Sequence, residues 1–159
     1  MSEISEDRAD DPSLEALLSR IERHVVRFDP ATSSQLSQCG QALSKQAGVP
    51  LAADHMALLK LTNGLLWNGI QLYGTQAIPR PHRNYTLPSL VDANTSLPRS
   101  LKPGQQIIIG RTEDEWLVMT QRPDRIIYQE VDCIDGDIYR QASSIRRLLT
   151  RLIKERMPR

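Results

Sequence analysis

Residues 59–74 read LKLTNGLLWNGIQLYG and mark the point at which the chain changes from helix to strand. Asn63 and Gly64 are residue types that readily take positive φ angles, which is typical of the C-terminus of a helix. Beyond them, apolar and polar residues alternate between Gly69 and Gly74, and this alternation predicts a short strand. The architecture is therefore expected to combine helices before this stretch with strands after it.

Upstream of this stretch, apolar residues recur at helical spacing. A first helix is predicted to begin at Pro12, where the missing N–H costs nothing, and its apolar stripe continues to Phe28. A second helix is predicted to begin after Thr32 or Ser33, which are good N-cap residues. A third is predicted over residues 53–62. The N-terminal part of the chain is therefore expected to be helical.

Downstream of this stretch, residues 79–103 are rich in Pro, Arg and Asn. This composition predicts an irregular crossing segment, with one short helix near residues 89–94. Three strands are predicted at residues 106–109, 116–120 and 125–130, separated by short turns. Short connections favour antiparallel neighbours, so these strands are expected to form a meander.

The last helix has the clearest pattern in the chain. Ser143 or Ser144 is expected to cap it, and its apolar residues then recur with the period of one helix face. The apolar face consists of Ile145, Leu148, Leu149, Leu152 and Ile153. Its basic residues are expected to point to solvent, and these are Arg146, Arg147, Arg151 and Lys154.

This order of elements predicts an α+β fold. We expect an antiparallel β-sheet meander packed against the N-terminal helices and the C-terminal amphipathic helix. A single domain is expected over residues 12–157, because 159 residues suit one core. Residues 1–11 are polar and lack periodicity, so we expect a flexible acidic tail there.

Composition excludes several classes of protein. No stretch approaches the roughly 18 apolar residues of a membrane span, and the first residues are acidic where a secretory signal is basic. Cys39 and Cys133 are far apart and are expected to be reduced thiols. We therefore expect a cytoplasmic protein without a membrane contact.

Residues 59–74 also resemble a known family. A helix that ends in Leu-x-x-Thr-Asn-Gly, followed by Trp-Asn-Gly-Ile-x-Leu-Tyr-Gly, is similar to the SUKH superfamily of Smi/Knr-type domains, and most similar to its YrhA-like bacterial branch. The resemblance spans residues 51–153, although only residues 59–74 are specific to the family. Ala52 departs from the family's frequent proline, and the acidic turn at 112–115 departs from its glycine-rich turns. The motif residues, for which we expect structural roles, are Asn63, Gly64, Asn68, Gly69, Tyr73 and Gly74.

The resemblance implies that the protein binds another protein. Many bacterial members of the family are similar to immunity proteins that neutralise a cognate toxin by binding and occluding it. Eukaryotic relatives act as adaptors or regulators, so a non-enzymatic scaffold in a cellular complex is the alternative. No catalytic constellation can be transferred from the family, and we expect no enzymatic activity.

Two segments are the expected contact surface for a protein partner. Residues 79–88 combine prolines, which limit the entropy lost on binding, with arginine and tyrosine, which are frequent anchors. The turn at residues 113–115 is expected to lie beside this loop. Trp67 is either a third anchor or a core residue. The expected contact residues are Arg80, His82, Arg83, Tyr85, Glu113, Asp114, Glu115 and Trp67.

Motifs for catalysis, metals or cofactors are not found in the sequence. Glu113 and its neighbours are adjacent in a turn, and residues 132–137 lack the spacing of a calcium loop, so both segments are interpreted as turns. The histidines, His24, His55 and His82, are isolated from each other and from the cysteines. We therefore expect no metal and no cofactor.

Charge gives further expectations about partners. The net charge is +1, with an acidic N-terminus and a basic C-terminus. The basic last helix is interpreted as a solvated face, so nucleic acid is not an expected partner. A near-neutral chain also argues against a strongly basic nuclease as the toxin. We expect a monomer or a weak homodimer that binds a toxin or effector protein.

Overall fold

A computed structural model of the chain describes residues 3–157. The helices are α1 (Leu14–Arg20), α2 (Ser33–Ala47), α3 (Ala53–Leu59), α4 (Leu90–Ala93) and α5 (Ile145–Arg156). The first strands are β1 (Ile4–Ser5), β2 (Val26–Arg27), β3 (Leu65–Trp67), β4 (Ile70–Leu72), β5 (Ile78–Arg80) and β6 (Tyr85–Leu87). The later strands are β7 (Gln106–Arg111), β8 (Glu115–Gln121), β9 (Ile126–Asp132) and β10 (Ile138–Ala142). The predicted α+β class is confirmed.

Eight of the strands form one sheet, in the order β1-β10-β9-β8-β7-β4-β3-β2. Its neighbours are antiparallel, except that β1 runs parallel to β10, so the sheet is mixed. Strands β5 and β6 form a separate hairpin. The sheet thus joins the predicted meander β7–β9, which β10 extends, to a second meander, β2–β4. Within residues 3–157, no helix combines the length and apolar character needed to cross a membrane.

The strongest local signals in the sequence form the elements that they predict. Thr32 caps α2 in a capping box with Gln35, and Gly48 ends this helix with a φ angle of 72°. Ser144 caps α5 by accepting a hydrogen bond from the N–H of Arg147 at 3.0 Å. The predicted short helix near residues 89–94 is α4. Each of these signals acts within one helical turn, so it does not depend on distant contacts.

The predicted first helix is too long. Helix α1 ends at Arg20, and Ser13 provides its N-cap. Val26 and Arg27, which lie within the predicted helix, instead form β2 beside β3. Because β2 pairs with a strand about 40 residues away, its backbone hydrogen bonds are a tertiary effect that overrides local helix propensity.

Residues 3–11 of the predicted flexible tail contact the rest of the chain, and their flexibility stays a prediction, while Met1 and Ser2 lie outside the described residues. Strand β1 joins the sheet edge, and Asp7 accepts hydrogen bonds from the hydroxyls of Ser143 and Ser144. Asp11 forms an ion pair with Arg147 at 2.8 Å. The acidic residues of this segment are therefore held by partners from the C-terminal part of the chain, which a polar composition alone does not reveal.

The same ion pairs correct the prediction that all basic residues of α5 point to solvent. Arg147 is only 8 % exposed, because its guanidinium contacts Asp11 and Ser5. Arg151 is half-buried beside Glu130, with a nitrogen–oxygen distance of 3.4 Å. Lys154 is exposed, as predicted. Burial of these two arginines requires the carboxylates that face them.

Two neighbouring cross-strand rows of residues define the faces of the sheet. Directly paired residues in antiparallel strands place their side chains on the same face, and adjacent residues in one strand alternate between faces. The inner row consists of Arg27, Leu65, Leu72, Gly110, Leu117, Glu130 and Arg140. The outer row consists of Val26, Leu66, Gln71, Arg111, Trp116, Val131 and Ile138. A bulge between Ile138 and Arg140 places these two residues of β10 in different rows.

The inner face packs against helices and is closed by polar contacts. Asp54 of α3 accepts hydrogen bonds from the hydroxyl of Tyr128 at 2.7 Å and from the N–H of Ile145 at 2.8 Å. It therefore joins α3, β9 and α5. Glu130, 1 % exposed, accepts from Arg140 at 2.9 Å and 3.0 Å. The inner face is thus occupied by the protein's own core. On the outer face Ile108, Val118 and Gln129 are also buried, so this face is open to a partner mainly beside its exposed ends, Val26 and Ile138.

Candidate binding surface on the outer face of the sheet

The outer row ends at two grooves of opposite charge. Its residues are mostly half-buried, and the two ends, Val26 and Ile138, are 36 % and 38 % exposed. One groove, the basic groove, has a volume of about 380 Å³ and is lined by His24, Val26, residues 66–71, Arg80, Arg83 and Tyr85. The other, the acidic groove, is lined by residues 113–115, 132–135 and 137–139. The two ends of the outer row therefore lie beside grooves of opposite charge.

The wall of the basic groove is the hairpin β5–β6. Residues 79–103 were predicted to be irregular, but Arg80 pairs with Tyr85 across this hairpin, and a 3-10 turn at Pro81–Arg83 connects its strands. Asn84 closes the turn with a φ angle of 51°, and its N–H donates to the carbonyl of Pro81 at 3.0 Å. Asparagine tolerates this left-handed conformation better than most residues. The hairpin therefore presents Arg80, Arg83 and Tyr85 on a defined backbone.

A hydrogen bond attaches this hairpin to the sheet. The hydroxyl of Tyr85 donates to the Oε1 atom of Gln71, an outer-row residue, at 3.0 Å. Partial burial raises the pKa of Tyr85, and the nearby guanidinium of Arg111 opposes the shift. Tyr85 is still 38 % exposed, so one side of its ring is available to a ligand. Leu87, fully buried, anchors the end of β6 in the core.

Arg80 is the least satisfied polar group of the basic groove. Its Nη1 atom is buried and, among residues 3–157, has no hydrogen-bond partner. Buried donors are nearly always paired in folded proteins, because an unmade hydrogen bond costs about 1–3 kcal/mol. Arg80 therefore keeps a donor that none of the described residues satisfies, although its side chain lines the groove.

The turn between β3 and β4 forms the floor of the basic groove, on the side that approaches the acidic turn at residues 113–115. Asn68 and Gly69 have φ angles of 44° and 83°, which is the signature of a type I′ hairpin. Asn68 exchanges two hydrogen bonds with Arg156, at 2.7 Å and 2.9 Å. Arg156 also forms an ion pair with Glu113 at 2.9 Å. A Cβ atom at Gly69 would overlap the carboxylate of Glu113, so only glycine fits there.

The acidic groove combines carboxylates with exposed apolar side chains. Ile134 is 92 % exposed and Tyr139 is 60 % exposed. Thr112 orders the preceding turn, since its hydroxyl donates to Glu115 at 2.6 Å and accepts from the N–H of Glu115 at 3.1 Å. The groove has no basic residue among those that line it in the described part of the chain.

The loop at residues 132–137 forms a turn. The Oδ1 atom of Asp132 accepts hydrogen bonds from the N–H groups of Ile134 and Asp135, at 2.7 Å and 3.1 Å. These bonds lower the pKa of Asp132. Gly136 takes a φ angle of 76°. Within residues 3–157, no three His, Cys, Asp or Glu side chains are arranged to hold a metal ion.

The structure brings together most of the predicted contact residues. Arg80, Arg83 and Tyr85 line the basic groove. The three acidic residues of the turn line the acidic groove, separated from the basic groove by the Asn68–Gly69 turn. His82 is exposed near the tip of the hairpin and does not line either groove. Trp67 is 5 % exposed and belongs to the core, as in the second interpretation of this residue.

Several residues of this surface were not predicted from the sequence. His24, Val26 and Leu66 line the basic groove, and Arg111 stacks on Trp116 at 4.9 Å in the middle of the outer row. The Asn68–Gly69 pair, flanked by apolar residues, is a hairpin signal that could have revealed β3. Strand β2 has no comparable signal, because it is only two residues long and two residues show no alternation.

Motif residues around Asn63 have structural contacts. The side chain of Asn63 accepts from the N–H of Thr75 and donates to its hydroxyl, both at 2.7 Å. A Cβ atom at Gly74 would overlap the backbone of Asn63, so the two segments pack directly against each other. Gly64 has a φ angle of 99°. Tyr73 is buried, and burial raises its pKa to about 12.

The remaining reactive groups lie away from this surface or are shielded. Cys39 is a buried free thiol on α2, and burial raises its pKa to about 11. Cys133 is also free and half-buried beside the acidic groove, and partial burial raises its pKa. Both thiols are thus unreactive near neutral pH, because the thiolate is the reactive form.

The protein is an α+β domain whose outer row of residues ends beside a basic groove and an acidic groove. Comparison of the chain with protein-family models, curated proteins and solved structures finds no match.

Proposed function

We propose that this chain is a non-enzymatic protein-binding domain of the SUKH type, and that it acts as an immunity protein by occluding a cognate toxin. The motif at residues 59–74 supports the family assignment. One structural observation supports the mode of action, which is the half-exposed outer face of the sheet with Arg80, Arg83 and Tyr85 gathered on one rigid hairpin.

This surface has the features of a protein contact site. Tyrosine and arginine are enriched among the residues that contribute most binding energy. Pro79 and Pro81 restrict the hairpin before binding, so little conformational entropy is lost when a partner orders it. Apolar side chains are exposed at both ends of the outer row. A partner that covers the whole row would contact both grooves.

The carboxylates of the surface are better suited to recognition than to catalysis. Glu113 forms an ion pair with Arg156, and Glu115 accepts from Thr112. Each is held by a structural partner, and the two follow each other closely in one turn. Two catalytic carboxylates would instead be held at a fixed separation across a substrate cleft.

A co-expression experiment tests the proposal. The candidate toxin is the product of a large toxin gene directly upstream, and growth of cells that express it is the measurement. We expect the wild-type chain to restore growth and the triple variant R80A/R83A/Y85A to fail. A matched double variant, K60A/K102A, removes two exposed cations outside both grooves and should restore growth fully.

Two results would contradict the proposal. If the folded triple variant neutralises the toxin as well as the wild type, the hairpin is not the contact surface. If no toxin is encoded nearby, and a stable complex with a cellular regulator is isolated instead, the chain is an adaptor.

A further inference from the structure

The charge of the basic groove is not neutralised by the groove itself. Among residues 3–157, neither Arg80 nor Arg83 takes part in an ion pair, although seven ion pairs occur elsewhere. None of the residues that line the groove is acidic, and His24 adds a third basic group. The groove is therefore complementary to a negatively charged ligand.

The unpartnered Nη1 atom of Arg80 specifies the kind of ligand. A guanidinium presents its donors in a planar fork that matches the two oxygens of a carboxylate. Arg80 lies beside Tyr85, whose hydroxyl is already used in the bond to Gln71. An entering acceptor is thus expected to pair with the arginine, and the ring of Tyr85 is left to pack against the ligand.

The apolar part of the groove indicates that the ligand is a polypeptide. Val26 and Leu66 are outer-row neighbours on β2 and β3, and both line the groove beside the two arginines. Strand β2 is the last strand of the sheet, so an extended segment can lie along it. A segment that alternates acidic and apolar residues would fit both components of the groove.

We infer that the basic groove binds an acidic, extended segment of the protein partner, with one of its carboxylates on the guanidinium of Arg80. This inference rests on the proposed function and specifies the chemistry of the partner. It means that the toxin is recognised through an acidic surface. A basic, nucleic-acid-binding surface of the toxin is then not what this groove covers.

A nucleic acid fits the outer face less well. A phosphate backbone carries a charge at every step and is bound by repeated cations. The carboxylate of Glu113 lies against Gly69 at the floor of the basic groove, and the acidic groove begins at the same carboxylate. A strand that continued along the sheet would meet these like charges.

Titration with a designed peptide tests the inference. The probe is a short peptide of alternating glutamate and valine, and the comparison probes are the same peptide with lysine for glutamate and a single-stranded oligothymidylate. Affinity is measured by calorimetry, and the guanidinium Nε–Hε resonances of the arginines are followed by NMR. We expect only the glutamate peptide to bind and to shift the resonance of Arg80.

Variants of Arg80 make the test specific. Arg80→Ala should weaken binding of the glutamate peptide at least about tenfold, because it removes one partner of a charge-assisted pair. Arg80→Lys keeps the charge but not the fork, so it should fall between the wild type and the alanine variant. The control Lys60→Ala should bind like the wild type. Circular dichroism checks that each variant is folded.

Three outcomes overturn the inference: tighter binding of the lysine peptide, tighter binding of the oligothymidylate, or equal affinity of Arg80→Ala and the wild type for the glutamate peptide. These outcomes are separate from failure of the proposed function. Toxin neutralisation that survives R80A/R83A/Y85A refutes the hairpin as the contact surface, whereas peptide binding reports only the chemistry of the groove.

Discussion

The inner and outer rows of the sheet are one residue apart in every strand that they cross except β10, where a bulge separates them by two, yet most of their residues lie in different environments. Leu65, Leu72 and Leu117 of the inner row are buried, and the polar Glu130 among them is paired with two arginines. In the outer row, Val26 and Ile138 are exposed at the ends. The difference shows which face supports the fold and which is available for binding.

The carboxylates of the inner face are well satisfied. Asp54 and Glu130 accept from several donors of different elements. Buried atoms without a partner occur on both sides: Nδ1 of His55 and Nε of Arg151 on the helical side, and Nη1 of Arg80 beside the basic groove. Substitutions on the inner face should therefore affect the free energy of unfolding, whereas substitutions on the outer face should affect binding.

Glu130→Ala is expected to have the largest effect. It leaves Arg140 and Arg151 without their shared buried carboxylate, and breaking a buried ion pair typically costs about 3–5 kcal/mol. Urea unfolding measures the change. Glu22→Ala, at an exposed position, is the control and should change stability by less than about 0.5 kcal/mol. A similar unfolding midpoint for both variants would contradict the closed inner face.

Asp54→Ala should destabilise the protein by about 3 kcal/mol. It removes the acceptor of Tyr128 and of the first N–H of α5, and a buried donor left unpaired costs about 1–3 kcal/mol. Asp54→Asn keeps the shape and should lose less. The same urea experiment measures both variants, and an alanine variant as stable as the asparagine variant would show that Asp54 does not join the elements.

His55 should make the inner side sensitive to mild acid. Burial lowers its pKa from 6.5 to about 4. Between these values the unfolded chain binds a proton that the folded chain does not, so stability is complete above pH 6.5 and falls as the pH decreases to about 4. The total loss is about 3 kcal/mol, at about 1.4 kcal/mol per pKa unit.

Urea midpoints across this pH range measure the slope, and His55→Gln should flatten it. Partial burial would raise the pKa of Asp7, but hydrogen bonds from Ser144 and Ser143 lower it overall. The stability that Asp7 gives is therefore lost only below its usual pKa of 3.8, outside the pH window of His55. An unchanged slope in His55→Gln would assign the pH dependence to other groups.

Tyr85→Phe and Arg83→Ala, both on the β5–β6 hairpin, should have the smallest effects on stability. Tyr85→Phe removes one hydrogen bond to Gln71 at a partly exposed position, which is worth about 0.5–1 kcal/mol at most. Arg83→Ala, without an ion pair, should change stability by less than about 0.5 kcal/mol. Thermal unfolding measures both changes. A loss comparable to that of Glu130→Ala would mean that the hairpin supports the fold and is not a free binding surface.

Part of the candidate surface could be predicted from residue types alone. Arg80, Arg83 and Tyr85 were selected because prolines, arginines and tyrosine occur together in one segment, and the structure places all three in one groove. Their exposure follows from their position on a hairpin outside the main sheet. Trp67 shows the limit of this reasoning, since a tryptophan suits both a binding anchor and a core residue. Its pairing with Ile70 turns its side chain to the inner face, where it is buried.

The sequence by itself determined the elements whose signals are local. The capping box of Thr32, the glycine after α2, the serine before α5 and the short turns that bound β7–β9 each act within a few residues, and the sequence predicts these elements.

Only the tertiary structure decided the short strands β1 and β2, the burial of Arg147 and Arg151, and the opposite charges of the two grooves. Strands of two residues and buried ion pairs gain their stability from partners far away in the chain, so no local pattern announces them. The charge of a groove depends in the same way on which loops the strand order brings together.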